Sequence, residues 1–246
     1  MSEPRAVAAP TPAATVLLLR DDPVGGFSVF MVQRSMKSSF MPGAYVFPGG
    51  KVEDEDAEQP VRLSDQELQQ RFGGELSVGS ARSHLVAAAR EVAEETGVLL
   101  DDPSCMHVFS HWVTPEIESR RFDTWFFAGR MPHDAAPTHD DFEVVASKWI
   151  HPPSALESYG NGELLLAPPT YYTLWDLARF SSVDEVLDDA AERRVVAIQP
   201  EFREVEGHWT ILLPGDPLYP SESPVLGPTR IVMGEGGRWW VVQSPA

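Results

Sequence analysis

Arg90-Glu91-Val92-Ala93-Glu94-Glu95-Thr96-Gly97-Val98 is the stretch on which the fold turns, with Tyr45-Val46-Phe47-Pro48-Gly49-Gly50 upstream of it. On a helix, Glu91, Glu94 and Glu95 lie three and four residues apart and so share one side. Like charges at that spacing repel by a few tenths of a kcal/mol per pair. A hard divalent cation would convert the repulsion into chelation, because such ions take carboxylate oxygens and keep waters. The layout is that of a site for metal-assisted hydrolysis of a phosphoanhydride. The bland alternative is a solvated acidic helix face, and the flanking glycine motifs argue against it.

Working outward, the spacing predicts a helix over 81–96. Leu85, Ala89, Val92 and Thr96 form a buried stripe distinct from the glutamates, and Gly97 suits the left-handed closing position. Gly49-Gly50 lets backbone approach a metal or phosphate that a Cβ would obstruct. Thr15–Leu19 and Phe27–Val32 read as strands joined by the turn residues 22–26, and Tyr45–Phe47 as a short strand. Residues 57–82 read as a polar surface insertion, a candidate lid, with a short helix near Ser64–Phe72. Strands are expected at 107–112, 122–128 and 144–150, and helices at 171–180 and 184–193, the second behind a Ser182-x-x-Glu185 capping box. Residues 195–198, 208–213, 230–233 and 238–242 suggest a C-terminal β region with a hairpin turn at 234–237. The order implies an α/β layered fold.

The string REVAEETGV after a PGG loop resembles the Nudix box, usually Gly, five residues, Glu, seven residues, then REUxEExGU with U aliphatic. Arg90 to Val98 match throughout. Asp56 stands where Glu is usual, and 33 residues, 57 to 89, replace the usual seven, about 26 extra. An interrupted box resembles the peroxisomal coenzyme A diphosphatases of that superfamily, as do Gln33-Arg34-Ser35, Phe40–Ala44, Trp112–Pro115, Arg120–Thr124 and Leu213–Asp216. Arg34, Ser35, Gly43 and Phe47–Gly50 fit the related coenzyme A motif, in which Ser39 replaces a second Arg. The resemblance implies a Nudix α/β/α sandwich with a mixed sheet, an insertion inside the box, and C-terminal helical and β additions. Its expected organisation is a tail at 1–12, the Nudix hydrolase domain at 13–160, and an extension at 161–246 packed on that domain.

It also implies roles. Glu91, Glu94, Glu95 and the Gly49 carbonyl would hold Mg²⁺ or Mn²⁺, with Gly50 at the substrate and Arg90 orienting Glu94 from four residues away. Glu91, Glu94 and Glu143 are the candidate catalytic carboxylates, Glu143 as general base, with Glu116 and Glu118 as alternatives. Arg34 and Arg121 are candidate phosphate ligands, since guanidinium binds phosphate bidentately. Trp112, Phe122 and Trp125 could stack an adenine, although aromatics at strand spacing are more often core.

Composition narrows the partners. The 246 residues, 43% hydrophobic, can build one domain with appendages. A net charge of −18 disfavours nucleic acid and anionic membranes, and makes local charge reversal necessary for a nucleotide substrate. The single cysteine, Cys105, rules out an intrachain disulfide framework and suggests a reducing compartment, and no apolar run is of bilayer length. With no recognisable secretory or peroxisomal signal, the cytoplasm is expected. The C-terminal elements could build a homodimer. The expected activity is cleavage of coenzyme A or acyl-CoA to 3′,5′-ADP and (acyl-)4′-phosphopantetheine. The alternatives are ADP-ribose, NADH or another nucleoside diphosphate derivative as substrate, and a non-catalytic nucleotide sensor.

Overall fold

Strand β1 (Thr11–Asp21) organises the computed structural model, which describes residues 7–38, 41–135, 137, 144–221 and 227–242. Its apolar run is buried on both faces: Ala14, Val16 and Leu18 point to one layer, Leu17 and Leu19 to the other. β1 runs parallel to β6 (Phe122–Arg130) along one edge. Along its other edge it pairs antiparallel with β4 (Gly49–Lys51) at residues 13–15 and with β2 (Phe27–Arg34) at 19–21. Two different strands thus share one edge of β1, and the chain entering β4 comes from β3 (Tyr45–Val46), which pairs with β2. The mixed sheet is completed by β5 (His107–Val113) and β8 (Ala197–Ile198) beyond β6, and by β7 (Val144–Ile150) on β2.

One face of the sheet packs on α1 (Asp65–Arg71) and α2 (Val78–Thr96), the other on α3 (Pro152–Gly160), α4 (Pro168–Leu177) and α5 (Val183–Glu192). A second, four-stranded antiparallel sheet packs on the α3–α5 side. It contains β9 (Glu201–Val205), β10 (His208–Leu212), β11 (Arg230–Met233) and β12 (Trp239–Val242). The expected α/β/α sandwich with a mixed sheet is what forms.

Several elements differ from the sequence reading. Helix α2 begins at Val78, because the Ser77 hydroxyl accepts the Ser80 N–H and caps it there. Helix α3 is unanticipated: it opens on two prolines, which the first turn of a helix tolerates. β4 and β9 were not expected either, and β1 starts at Thr11, inside the span read as a tail. Glu185 reaches the Ser181 N–H (2.7 Å) rather than closing the box on Ser182.

The lid expectation for 57–82 is also corrected. Leu68 and Phe72 of this segment are buried, Phe72 lying edge-on to Trp125 and Phe127 with ring centroids at 4.9 and 5.8 Å. Arg71 donates to the carbonyls of Ser104 (2.6 Å) and Met106. Ser64 caps α1 by accepting the Glu67 N–H. A short helix anchored by Leu68, the capping Phe72 and Arg71 stays on the core. No helix among the described residues is long and apolar enough to cross a membrane.

Asp216 staples the second sheet. Its buried carboxylate accepts from Arg230 Nε (2.6 Å) and Nη2 (3.2 Å), the Thr229 hydroxyl (3.0 Å) and the Leu218 N–H (2.9 Å). Burial by itself raises its pKa, but these donors outweigh burial and hold it below the usual carboxylate value.

Two stability measurements follow from this packing. Phe72→Ala is expected to cost about 3–5 kcal/mol in urea unfolding, the loss typical of a fully buried aromatic. Asp216→Asn should cost about 3 kcal/mol at neutral pH by leaving Arg230 unpaired. Because the folded pKa is the depressed one, that difference should be full above about pH 4 and shrink as pH falls further.

Candidate active site

Helix α2 carries the acidic cluster across the inner face of β4. Gly50 is the point of closest approach: a Cβ built there would stand 2.3–2.5 Å from the carboxylate atoms of Glu91. A Cβ on Gly49 would meet backbone, 2.3 Å from the Ala14 carbonyl oxygen and 2.7 Å from Thr15 Cα. The two glycines therefore have different duties. Gly49 lets β4 dock on β1, and Gly50 lets the helix carboxylate reach the strand. Glu95 fastens the same spot, its Oε2 accepting the Gly49 N–H at 3.1 Å.

Arg90 holds the cluster together. Its Nε and Nη2 donate to the two oxygens of buried Asp56 (3.0 and 3.1 Å), and Nη2 also donates to the Lys51 carbonyl (2.9 Å). Nη1 donates to Glu91 Oε1 (2.9 Å) and Glu94 Oε2 (3.3 Å). Asp56 is itself held by the Glu53 N–H (2.8 Å). The hydrogen bonds to Asp56 raise the Arg90 pKa, outweighing the partial burial that would lower it. For Glu91, burial pushes the carboxyl up, Arg90 pulls it down, and Glu94 and Glu53 push it up again. A half-buried carboxyl raised in a group of carboxylates is the electrostatic signature of a functional cluster.

The donor chemistry fits a hard divalent cation, since Glu91, Glu94 and Glu95 supply only oxygen. Among the described residues no three acidic or histidine side chains converge as a ready metal cage. Arg90 Nη1 bridges Glu91 and Glu94, and the Glu94 side chain is 58% exposed. The carboxylates must turn inward to share an ion, and Glu94 has the room to do so.

The other candidates are placed as follows. Arg34 ends β2, opposite Val144, with Nε and Nη2 donating to the Ser38 hydroxyl (3.2 and 2.8 Å). Glu143 and Ser39 lie outside the described residues. Glu116 and Glu118 are exposed. Arg121 is corrected: it is buried before the start of β6, donating to the carbonyls of Thr114 (2.9 Å) and Ala8 (2.9 Å) and to Gln199 Oε1 (3.4 Å). A guanidinium spent on backbone carbonyls ties the chain start to β6 and offers no fork to a phosphate. Trp112 and Trp125 are core residues. The sequence reading did not assign Asp56 or the Lys51 carbonyl to the site. Asp56 was legible as the acidic position six residues after Gly50, whereas a backbone carbonyl leaves no signal in sequence.

Known proteins resemble this chain in sequence and in fold. The NUDT19 Nudix domain family model matches residues 102–179, from before β5 to just past α4. The acyl-coenzyme A diphosphatases NUDT19 of Xenopus laevis and Homo sapiens are each 27% identical, over 84% of this chain and 75% and 76% of their own. A Nudix hydrolase from Alicyclobacillus acidocaldarius superposes with a TM-score of 0.62 at 24% identity, covering 74% of this chain and 97% of that one. The chain has the Nudix fold and is similar over most of its length to Nudix enzymes named as coenzyme A diphosphatases. The likeness supports a Nudix pyrophosphohydrolase, an enzyme class that generally uses a divalent metal. In this Nudix fold the box is interrupted in sequence and closed in space.

The contrast between the two glycines is testable by kinetics and melting. Gly50→Ala should lower kcat/KM for phosphoanhydride hydrolysis about 100-fold by displacing Glu91. Its stability cost should be about 1 kcal/mol, because the obstacle is a side chain. Gly49→Ala should lose stability as well as activity, because the obstacle is backbone.

Proposed function

We propose that the chain hydrolyses the phosphoanhydride of coenzyme A or an acyl-CoA, releasing 3′,5′-ADP and (acyl-)4′-phosphopantetheine. The observation that carries the reading is the likeness over most of the chain to relatives named acyl-coenzyme A diphosphatases, joined to an acidic cluster held at Gly49-Gly50. Mg²⁺ or Mn²⁺ on Glu91, Glu94 and Glu95, with the Gly49 carbonyl, would neutralise the phosphate oxygens and ease ionisation of a water. Arg90 sets the orientation of Glu91 and Glu94. Gly50 lets the Glu91 carboxylate seat against β4 and offers its backbone to the substrate, and Arg34 is the cation offered to the substrate. Glu143 is assigned as general base from its place in the sequence, directly before β7. With a single cysteine, the protein suits a reducing compartment, and we place it in the cytoplasm.

ADP-ribose or NADH is the second reading, favoured by Ser39 where the coenzyme A motif has Arg. A pure ligand sensor has no use for a carboxyl buried against a second and third carboxylate.

Product analysis decides among these. The protein is incubated with coenzyme A, acetyl-CoA, ADP-ribose and NADH, with and without Mg²⁺ or Mn²⁺, and products are identified by mass spectrometry. Metal-dependent 3′,5′-ADP is expected, lost in Glu94→Gln and Glu95→Gln. AMP from ADP-ribose or NADH instead would move the substrate, and turnover without metal would remove the chemistry.

A further inference from the structure

A cavity of about 490 Å³ lies between β3, the loop after α3 and the β11–β12 hairpin. Tyr45, Leu164, Leu166 and Trp239 give it an apolar lining. Its polar members are mostly spoken for. Gln33 donates to the Gly43 carbonyl (3.1 Å), the Tyr159 hydroxyl accepts the Trp239 N–H (2.7 Å), and Glu163 is exposed.

Arg238 is the exception. The chain carries 37 acidic against 19 basic residues, and the part-buried Arg90, Arg193 and Arg230 each meet carboxylates. The guanidinium of Arg238, also part-buried, makes no hydrogen bond or ion pair among the described residues. Its electrostatic neighbour is the Tyr159 phenol, whose pKa burial raises, so that it stays neutral. The backbone holds the group in place: a Cβ on Gly162 would stand 2.3 Å from Nη2, and one on Gly236 would stand 3.7 Å from Nη1. An arginine seated against glycine backbone with no anion is a site lacking its ligand's acceptor.

Position restricts that ligand. Tyr45, on the cavity wall, precedes Gly49 by four residues, at most about 13 Å of extended chain. With a diphosphate at Glu91, the remaining phosphate of the nucleotide stays within one ribose of that point, whereas the pantetheine arm is long enough to cross. Resting on the coenzyme A reading, we propose that this cavity seats the acyl end of the substrate and that Arg238 selects acyl groups ending in a carboxylate.

The test compares glutaryl-CoA with valeryl-CoA, equal in chain length and differing in a terminal carboxylate against a methyl. In a chain of net charge −18 the added anion should otherwise be penalised. Wild type is expected to favour glutaryl-CoA about tenfold in kcat/KM, mainly through KM. Arg238→Gln should bring the ratio near one with valeryl-CoA turnover unchanged, and Arg238→Lys should keep most of the preference. A wild-type ratio near one overturns the proposal while leaving the coenzyme A reading intact. So does an equal loss on both substrates in Arg238→Gln. A loss on coenzyme A but not on dephospho-coenzyme A would assign Arg238 to the 3′-phosphate and overturn the acyl assignment. Failure to cleave any of these esters removes the coenzyme A reading, and this inference with it.

Discussion

The ion pair between Arg90 and Asp56 is the constraint on which the site depends. Three carboxylates on one helix face repel one another, and α2 has no basic residue in its last turn to offset them. Arg90 supplies the offset from within the cluster, touching Glu91 and Glu94 while its other nitrogens bind Asp56 and the Lys51 carbonyl. A guanidinium can do this because its donors form a rigid fork, and a lysine ammonium cannot span the same partners. Since Asp56 is buried, the pair also ties the chain leaving β4 to the middle of α2.

That tie explains how the interruption is tolerated. Arg90 and Asp56 are 34 residues apart, yet the ends of the inserted segment meet at fixed geometry. The insertion adds apolar contact of its own through Leu68 and Phe72. It has become part of the layer that packs with α2 on that face of the sheet. Loop-closure entropy grows slowly with length, so a longer connection costs little once its ends are held.

The other half of the molecule answers a different need. β1 is apolar on both faces, so both must be covered. Helices α3–α5 and the second sheet cover the face turned away from α2. The buried Asp216 group fixes that second sheet internally. One result is a cavity whose walls come from β3 and from the far C-terminus, with Arg238 set against Gly162.

Local pattern explains what could be read directly. The helical spacing of Glu91, Glu94 and Glu95, the closing Gly97, and the apolar runs of β1 and β2 are short-range effects. They act within a few residues and leave their mark in composition. The sequence by itself therefore determined an α/β layered fold and a helix with three carboxylates on one side, and its resemblance to the Nudix hydrolases narrowed the fold to the sandwich. The tertiary structure decided the rest. Arg121 resembled a phosphate ligand until its guanidinium met the carbonyls of Thr114 and Ala8. The insertion resembled a lid until Phe72 met Trp125. Arg238 was one charge among many until a glycine backbone seated it with no acid beside it among the described residues. Each of these outcomes depends on which groups share a volume, and long-range contact is not encoded in the spacing of neighbours.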